Sequence, residues 1–309
     1  MYGFKDEFEY FQCSSCGCLQ IKEVPDNLSK YYPPDYYSFS TKAEARQSSI
    51  KSFFRHHRLL SALGYKSFLG LLLLKAFGAP RLPEWVKKIR PMPRSNILDV
   101  GCGAGHHLLT LRKKGFSNLT GVDPYINSDI LYKNGVRIFK KEIKEINEQF
   151  DFIRLSHCFE HVAEPLTTLQ DLHRVLKPDC FILIAIPLVD SFAWRKYGIN
   201  WAQLDAPRHL FLHSVKSMTI LAEKAGFQVE DIHYDSTSFQ FTASELYQRN
   251  VPLKDQNPGS ENPDEHYFPT EDIEKFEQKA KELNNKRDGD QAQFYLRKKS
   301  FDSENSKSK

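Results

Sequence analysis

The sequence of 309 residues predicts an α/β protein built on a doubly wound, mostly parallel sheet. Between residues 96 and 186, short apolar runs typical of strands alternate with segments that repeat apolar residues at helical spacing. The run at 180–186 is almost continuously apolar, as expected of a strand that helices cover on both faces. A glycine-rich turn follows the first of these strands, at the edge where open sheets of this class bind ligands.

The glycine-rich turn begins at Asp99 and reads Asp-Val-Gly-Cys-Gly-Ala-Gly. Its glycines let the backbone turn sharply and approach a ligand, and the helix N-terminus behind them presents unpaired N–H groups. A dinucleotide fingerprint would require a third glycine at position 106, where this sequence has His106. The turn therefore indicates a nucleotide cofactor, and His106 argues against NAD. An ordinary strand-to-helix connection is the structural alternative.

The next three predicted strands end in polar side chains at the same edge. The second ends at Asp123, whose carboxylate can accept both hydroxyls of a ribose, although a helix N-cap before Pro124 would also explain it. Glu142 follows the third strand, in a charged segment that a solvated helix would also explain. The fourth strand starts near Phe150 and ends at Ser156. These side chains are expected to meet at one ligand site.

Together these motifs resemble those of class I S-adenosylmethionine-dependent methyltransferases. The resemblance implies a Rossmann-like sheet of seven strands, the last one antiparallel, over residues 92–298. It implies that Asp99 helps to hold the methionine end of S-adenosylmethionine, that Asp123 binds the ribose and that Glu142 binds the adenine amino group. The full set of implied cofactor-binding residues is Asp99, Gly101, Cys102, Gly103, Gly105, Asp123, Glu142 and Ser156.

An aromatic-rich segment follows the fifth strand and ends in Asp-Ala-Pro-Arg-His, of which the last two are Arg208 and His209. It resembles a sub-branch of these enzymes in which such a segment roofs the active site, which implies a substrate lid. Arg208 can pair with a carboxylate or a phosphate, and His157, His161 and His209 are candidate general bases. The alternative is a packed loop that caps the next helix, at 214–225. No metal-ligand spacing is found in this region, so no metal is expected there.

The N-terminal segment, residues 1–48, contains three cysteines in close succession. Cys13, Cys16 and Cys18 resemble one knuckle of a zinc ribbon, which precedes the catalytic domain in some bacterial methyltransferases. A closed zinc site needs four ligands, and no second Cys-x-x-Cys occurs in the first hundred residues. The segment is therefore interpreted as a partial, zinc-ribbon-like extension.

A helical lead-in is predicted at residues 49–91. Lys66 and Lys75 interrupt its apolar stretch, which is too short to span a bilayer. The cations before that stretch would suit peripheral contact with an anionic membrane through residues 51–79, whereas packing on the catalytic domain is the favoured alternative.

Composition and charge narrow the class of protein further. A net charge of +4 and the lack of an RNA-binding module or strongly basic face argue against a nucleic-acid partner. The first residues lack an apolar signal core, which predicts a cytoplasmic protein with reduced cysteines. A polar loop at 254–265 and a disordered tail at 299–309 complete the chain.

The sequence thus predicts an enzyme that transfers a methyl group from S-adenosylmethionine to a small molecule, such as a sugar or a lipid-linked cell-surface precursor. Two alternatives remain open at this stage. One is an NAD(P)-dependent oxidoreductase, against which His106 argues. The other is a regulatory protein that binds the cofactor without catalysis.

Overall fold

A computed structural model describes residues 4–32, 49–253 and 266–298. In these ranges the main sheet has eight strands. Its order from one edge to the other is β10 (Phe227–Tyr234), β11 (Gln291–Lys298), β8 (Leu176–Pro187), β7 (Phe150–Ser156), β3 (Ile97–Val100), β4 (Leu119–Val122), β6 (Arg137–Phe139) and β5 (Ile130–Leu131).

Strands β8, β7, β3, β4 and β6 are parallel, whereas β11 runs antiparallel to both of its neighbours. This arrangement confirms the predicted doubly wound α/β fold, including its antiparallel final strand. The two-residue strand β5 adds one strand to the seven expected, because the chain after β4 folds back along the edge of β6.

Helices cover both faces of the sheet. In chain order, the helices of the described residues are α1 (Ser49–Ala62), α2 (Phe68–Phe77), α3 (Glu84–Ile89), α4 (His106–Lys114), α5 (Pro165–Val175), α6 (Phe192–Tyr197), α7 (Val215–Lys224), α8 (Phe239–Gln248) and α9 (Thr270–Asn285). Pro165 occupies the first turn of α5, and the Ser214 hydroxyl accepts the Ser217 N–H at the start of α7, as helix-start chemistry predicts.

The alternation of side chains along the strands divides the core between the two faces. Leu98 and Ile153 point into a cluster that also contains the buried faces of α5 and α7. Ile97 and Phe152 belong to the opposite cluster, where the ring of Trp85 stacks on Phe152 at 4.3 Å between centroids. The central strands are therefore buried on both sides, which leaves their carboxyl ends as the accessible edge.

The N-terminal segment packs against the catalytic region. Its hairpin, β1 (Tyr10–Gln12) and β2 (Leu19–Ile21), forms a small sheet with β9 (Phe211–Leu212), which directly follows the Asp-Ala-Pro-Arg-His motif. The Tyr10 hydroxyl donates to the carbonyl of His209 at 2.8 Å. The partial ribbon thus supports the segment predicted to roof the active site.

Residues 33–48 of the N-terminal segment, the polar loop at 254–265 and the tail at 299–309 lie outside the described residues. The lead-in consists of α1, α2 and α3, and it is anchored in the core by Leu59 of α1 and by Leu63, which directly follows α1. None of the helices in the described ranges is long and apolar enough to cross a membrane.

Candidate active site

The glycine-rich turn lies between β3 and α4 and is shaped by close packing. Gly101 and Gly105 adopt φ angles of 67° and 77°, in the left-handed region that favours glycine. A Cβ atom at Gly101 would lie 2.6 Å from the Cβ of Cys158, and one at Gly105 would lie 2.6 Å from Cδ1 of Ile138. Packing within the protein therefore requires glycine at both positions, and the resulting turn has no side chain that would block a nucleotide cofactor.

Asp123 connects this turn to the end of β4. Its Oδ2 accepts the N–H of Gly103 at 2.8 Å and its Oδ1 accepts the N–H of Tyr125 at 2.9 Å. Burial raises the pKa of this carboxyl, and the two backbone hydrogen bonds oppose the shift. A carboxylate has about four acceptor positions, so Asp123 keeps capacity for the two hydroxyls of a ribose.

Asp99 is buried in β3 with a partner that the sequence reasoning did not identify. Its Oδ1 lies 3.1 Å from Nη1 of Arg154, which is the residue opposite it in the parallel register of β3 and β7. The only sequence signal for this pair is an arginine between apolar residues in the middle of the strand. The contact of Asp99 with the cofactor stays a prediction.

The remaining predicted cofactor residues occupy the same edge of the sheet. Cys102 lies within the turn, and burial raises the pKa of its thiol. Ser156 is the last residue of β7 and lies opposite Ala185 of β8. Glu142 follows β6, where its exposed carboxylate pairs with Lys144 at 2.7 Å. The structure therefore brings the turn, Asp123 and Ser156 to one region and leaves Glu142 at its surface.

Glu160 lies at the centre of a group of histidines just beyond β7. It sits in a 3-10 turn, Phe159–His161, and is only 1% exposed. Its Oε1 is 3.6 Å from Nδ1 of His157 and 3.9 Å from Nε2 of His209. The three histidines are predicted from the sequence, whereas this carboxylate is not. Its position between His157 and His161 is the one feature of the sequence that points to it.

The local environment sets different pKa values within this group. Burial lowers the pKa of His209 to about 4, so its imidazole is neutral near neutral pH. Desolvation also opposes the charged form of His157, but the carboxylate of Glu160, 3.6 Å away, outweighs it and raises the pKa of that histidine. Burial disfavours ionised Glu160, yet the surrounding histidines hold the pKa of this carboxyl below its usual value.

Hydrogen-bond partners fix the orientation of two of the rings. Nδ1 of His161 lies 2.8 Å from the carbonyl oxygen of Arg208, and Nδ1 of His209 lies 2.7 Å from that of Gln203. Because a carbonyl oxygen can only accept, each Nδ1 carries the proton and each Nε2 of a neutral ring keeps a lone pair.

Arg208 is buried beside the same histidines. Its guanidinium forms an ion pair with Asp205 and lies 5.5 Å from the ring centre of Tyr32. It also borders a cavity of about 370 Å³, lined among others by Phe4, Tyr31, Trp201, Tyr247 and Pro252. An anionic group in this cavity would have to share the guanidinium with Asp205.

Part of the aromatic-rich segment is packed inside the protein, and its predicted role as a substrate lid stays a prediction. Trp201 is fully buried, and its indole N–H donates to Oδ2 of Asp290 at 3.0 Å. Gln203 donates to the same oxygen at 2.9 Å. Contacts with α8 and α9, which are remote in sequence, turn these residues into core.

The family model described as "Methyltransferase domain" matches residues 72–232, which is more than half of the chain. The chain therefore belongs to this methyltransferase family. Its methyl donor is S-adenosylmethionine, for which the left-handed glycine turn and Asp123 form a fitting cradle.

Named relatives act on different kinds of acceptor. A ubiquinone biosynthesis O-methyltransferase of Pseudomonas aeruginosa is 26% identical over 170 residues, which cover 50% of this chain and 73% of that protein. A tRNA U34 carboxymethyltransferase of Alteromonas mediterranea is 24% identical over 170 residues, covering 48% of this chain and 50% of that protein. The chain thus matches only half the length of the tRNA enzyme.

Solved methyltransferase structures resemble the chain at low identity. A putative methyltransferase from Bacillus halodurans is 18% identical with a TM-score of 0.46, covering 70% of this chain and 98% of that one. A mycolic acid cyclopropane synthase complexed with SAH is 21% identical with a TM-score of 0.43, covering 67% and 79%.

Proposed function

We propose that this methyltransferase transfers the methyl group to a lipid-linked small molecule, such as a sugar-bearing or cell-surface precursor, at an oxygen or carbon atom. The proposal that the acceptor loses a proton rests on one observation, the histidine group at the carboxyl end of β7, beside the glycine-rich turn. Transfer from a sulfonium requires mainly the alignment of the acceptor atom, and a hydroxyl or carbon acceptor also requires a base.

His157 is the proposed base. Its side chain is 44% exposed, whereas His209 is almost fully buried, so His157 is the more accessible of the two to an incoming acceptor. Its Nδ1 faces Glu160 at 3.6 Å, which leaves Nε2 to accept a proton. Glu160 would stabilise the imidazolium that forms, because the carboxylate is held in its ionised form.

The cofactor supplies an already activated methyl group, and the chain's residues bind and orient it. In this proposal the backbone of Gly101, Gly103 and Gly105 lies along the cofactor, Asp123 accepts the ribose hydroxyls and Glu142 binds the adenine. Ser156 and Cys102 complete the cofactor pocket.

Calorimetric titration with S-adenosylmethionine, combined with labelled methyl transfer to membrane and small-molecule extracts, tests this proposal. Asp123→Asn should weaken cofactor binding by about tenfold, the effect of one lost charge-assisted hydrogen bond. His157→Gln should leave that binding unchanged and lower the rate of methyl transfer by about a hundredfold or more. If His157→Gln retains full activity, the assignment of the base is wrong. If label enters no extract component, the chain binds the cofactor without catalysis.

The helices α1 and α2 support a lipid-linked acceptor over a freely diffusing one. Residues 49–83 contain six lysines and arginines and no acidic residue. On α2, Phe68 is 80% exposed and Phe77 is 69% exposed, and Leu71 and Leu72 lie in the open beside them. A basic surface with exposed aromatic and aliphatic side chains has the chemistry of a helix that lies in the interface of an anionic membrane.

The way these helices are held fits this role. Leu59 and the following Leu63, just past the end of α1, anchor this helix in the core. Arg58 donates to the carbonyls of Phe77 and Gly78 at the end of α2, each at 2.9 Å. Gly70 lets α2 approach the backbone of α1, since a Cβ there would lie 2.1 Å from the His57 carbonyl oxygen. The pair therefore presents its apolar side outward while it is fixed to the catalytic domain.

Sedimentation with vesicles tests the membrane proposal. The protein should bind vesicles containing phosphatidylglycerol, bind neutral phosphatidylcholine vesicles weakly, and dissociate as salt rises. The double variant Phe68→Ser/Phe77→Ser should lose this binding. Leu131→Ser, at an exposed apolar position on the sheet edge, is the matched control and should keep it. Equal binding by both variants, or salt-sensitive binding of tRNA in place of vesicles, would contradict the proposal.

A further inference from the structure

Glu160, His161 and His209 bring three metal-ligating side chains together. Among the residues that the structure describes, they form the only such group, with one ligand atom from each within 4.8 Å of the others. They come from two separate segments, the turn after β7 and the motif before β9, so no local spacing in the sequence reveals them.

The carboxylate of Glu160 lacks the hydrogen bonds that its burial demands. Neither Oε1 nor Oε2 has a hydrogen-bond partner, although the residue is only 1% exposed. A buried carboxylate of this kind is costly unless it is paired or bound to a metal. The nearest ring nitrogens, at 3.6 Å and 3.9 Å, are too distant for strong hydrogen bonds.

The two histidines are oriented as metal ligands are. Each donates its Nδ1–H to a backbone carbonyl, of Arg208 and of Gln203, which fixes the ring and directs the Nε2 lone pair away from that contact. Metal-binding histidines almost always donate their second nitrogen in this way. The charge of the neighbouring Arg208 is balanced by its ion pair with Asp205, so that arginine need not repel a cation.

We propose that Glu160, His161 and His209 bind a divalent transition-metal ion through one carboxylate oxygen and two imidazole nitrogens. Two histidines and one glutamate are a ligand set of catalytic zinc sites, which keep a further position open. Metal–ligand distances of about 2.0–2.2 Å place tetrahedral ligand atoms roughly 3.4 Å apart, so binding requires side-chain shifts on the order of 1 Å. Oε1 of Glu160 is the oxygen nearest to both His209 and His157, at 3.9 Å and 3.6 Å, so it can bind the metal beside His209 only if the carboxylate turns its other oxygen towards His157.

The open position gives the metal a role in the reaction, and this part rests on the proposed methyl transfer. A hydroxyl acceptor bound there would have its pKa lowered by the cation and would release its proton more readily to His157. This differs from the expectation, drawn from sequence spacing, that the catalytic region holds no metal.

Metal binding can be measured without any assay of activity. Chelator-treated protein is titrated with Co²⁺, and bound metal is followed by its visible d–d absorption and by elemental analysis. Cys13→Ser/Cys16→Ser removes the other metal-binding candidate in the chain. His173→Gln, at a partly buried histidine beside Phe227, is the control for loss of an imidazole outside the group.

We expect one Co²⁺ per chain in the wild type, in the double cysteine variant and in His173→Gln. Glu160→Gln and His209→Gln should each weaken binding by more than about tenfold. Thermal unfolding of each apo variant shows whether it is folded, and His161→Gln replaces either one that is not. Unchanged affinity in these variants, loss of binding in the cysteine variant alone, or no bound metal in the wild type would overturn the proposal. Bound metal without methyl transfer would refute the proposed function but support the metal site. Methyl transfer by a protein that binds no metal would refute the metal site but support the proposed function.

Discussion

Replacing Gly105 by alanine tests whether close packing fixes the backbone of the glycine-rich turn. Gly105 has a φ of 77°, and an added Cβ would lie 2.6 Å from Cδ1 and 3.2 Å from Cγ1 of Ile138. Two costs therefore add. The left-handed conformation costs a residue with a side chain about 1–2 kcal/mol. The overpacking against Ile138 costs about 1–3 kcal/mol more, so the variant should lose about 2–5 kcal/mol of stability.

Gly64 provides a matched control. Its φ is 88°, and an added Cβ would find nothing within 4 Å, so Gly64→Ala should lose only the conformational part, about 1–2 kcal/mol. Ile138→Val removes the Cδ1 atom that the new methyl would meet and should by itself cost about 0.5–1.5 kcal/mol. The double variant at positions 105 and 138 should therefore lose less stability than the two single variants lose together, by about 1 kcal/mol or more.

Urea unfolding followed by circular dichroism measures the free energy of unfolding of each of these four variants relative to the wild type. The reasoning is refuted if Gly105→Ala is no more destabilising than Gly64→Ala. It is also refuted if the coupling between Gly105→Ala and Ile138→Val is indistinguishable from zero. Affinity for S-adenosylmethionine, measured on the folded variants, should fall with Gly105→Ala and stay unchanged with Gly64→Ala, which lies outside the turn.

Two further predictions concern buried carboxylates. Arg154→Met leaves Asp99 without its cation and should cost about 3 kcal/mol, near the low end for a broken buried pair because the Arg154 side chain keeps 21% exposure. Adding Asp99→Asn should recover most of that loss in the same urea assay, and no recovery would mean that the charge is not the cause. Burial raises the pKa of Asp290 above the ordinary 3.8, so its contribution to stability is present in acid and is lost as pH rises through the raised pKa. Asp290→Asn, whose amide oxygen can still accept from Trp201 and Gln203, should therefore gain stability relative to the wild type from about pH 4 upward. A stability difference that is constant with pH would contradict this.

Local patterns were sufficient for most of the fold. The apolar run at 180–186 lies within β8, and the helix expected at 214–225 is α7, because such patterns reflect which faces of an element are buried. The hydroxyl of Ser214 caps α7 as its chemistry predicts. Strand β5 was missed because a two-residue edge strand depends on the neighbouring β6 and has no pattern of its own.

The candidate site was predicted only where its residues are close to strand ends. The glycines and Asp123 follow β3 and β4 directly, and parallel strands place their carboxyl ends at one edge. Glu160 was overlooked, since its importance comes from the approach of His209, which lies 49 positions later in the sequence. The burial of Trp201 does not follow from the sequence, because α8, α9 and Asp290, which enclose it, are remote in the chain.

The sequence by itself determined the class of fold and the position of the glycine-rich turn, because these depend on residue periodicity and on where glycine must occur. Its motifs also resemble those of the family to which the chain belongs. The tertiary structure decided which polar groups are paired and which are left unsatisfied. Asp99 meets Arg154 across two strands, and Glu160 meets His161 and His209 where two separate segments converge. Burial and pairing depend on long-range packing, which no short stretch of sequence specifies.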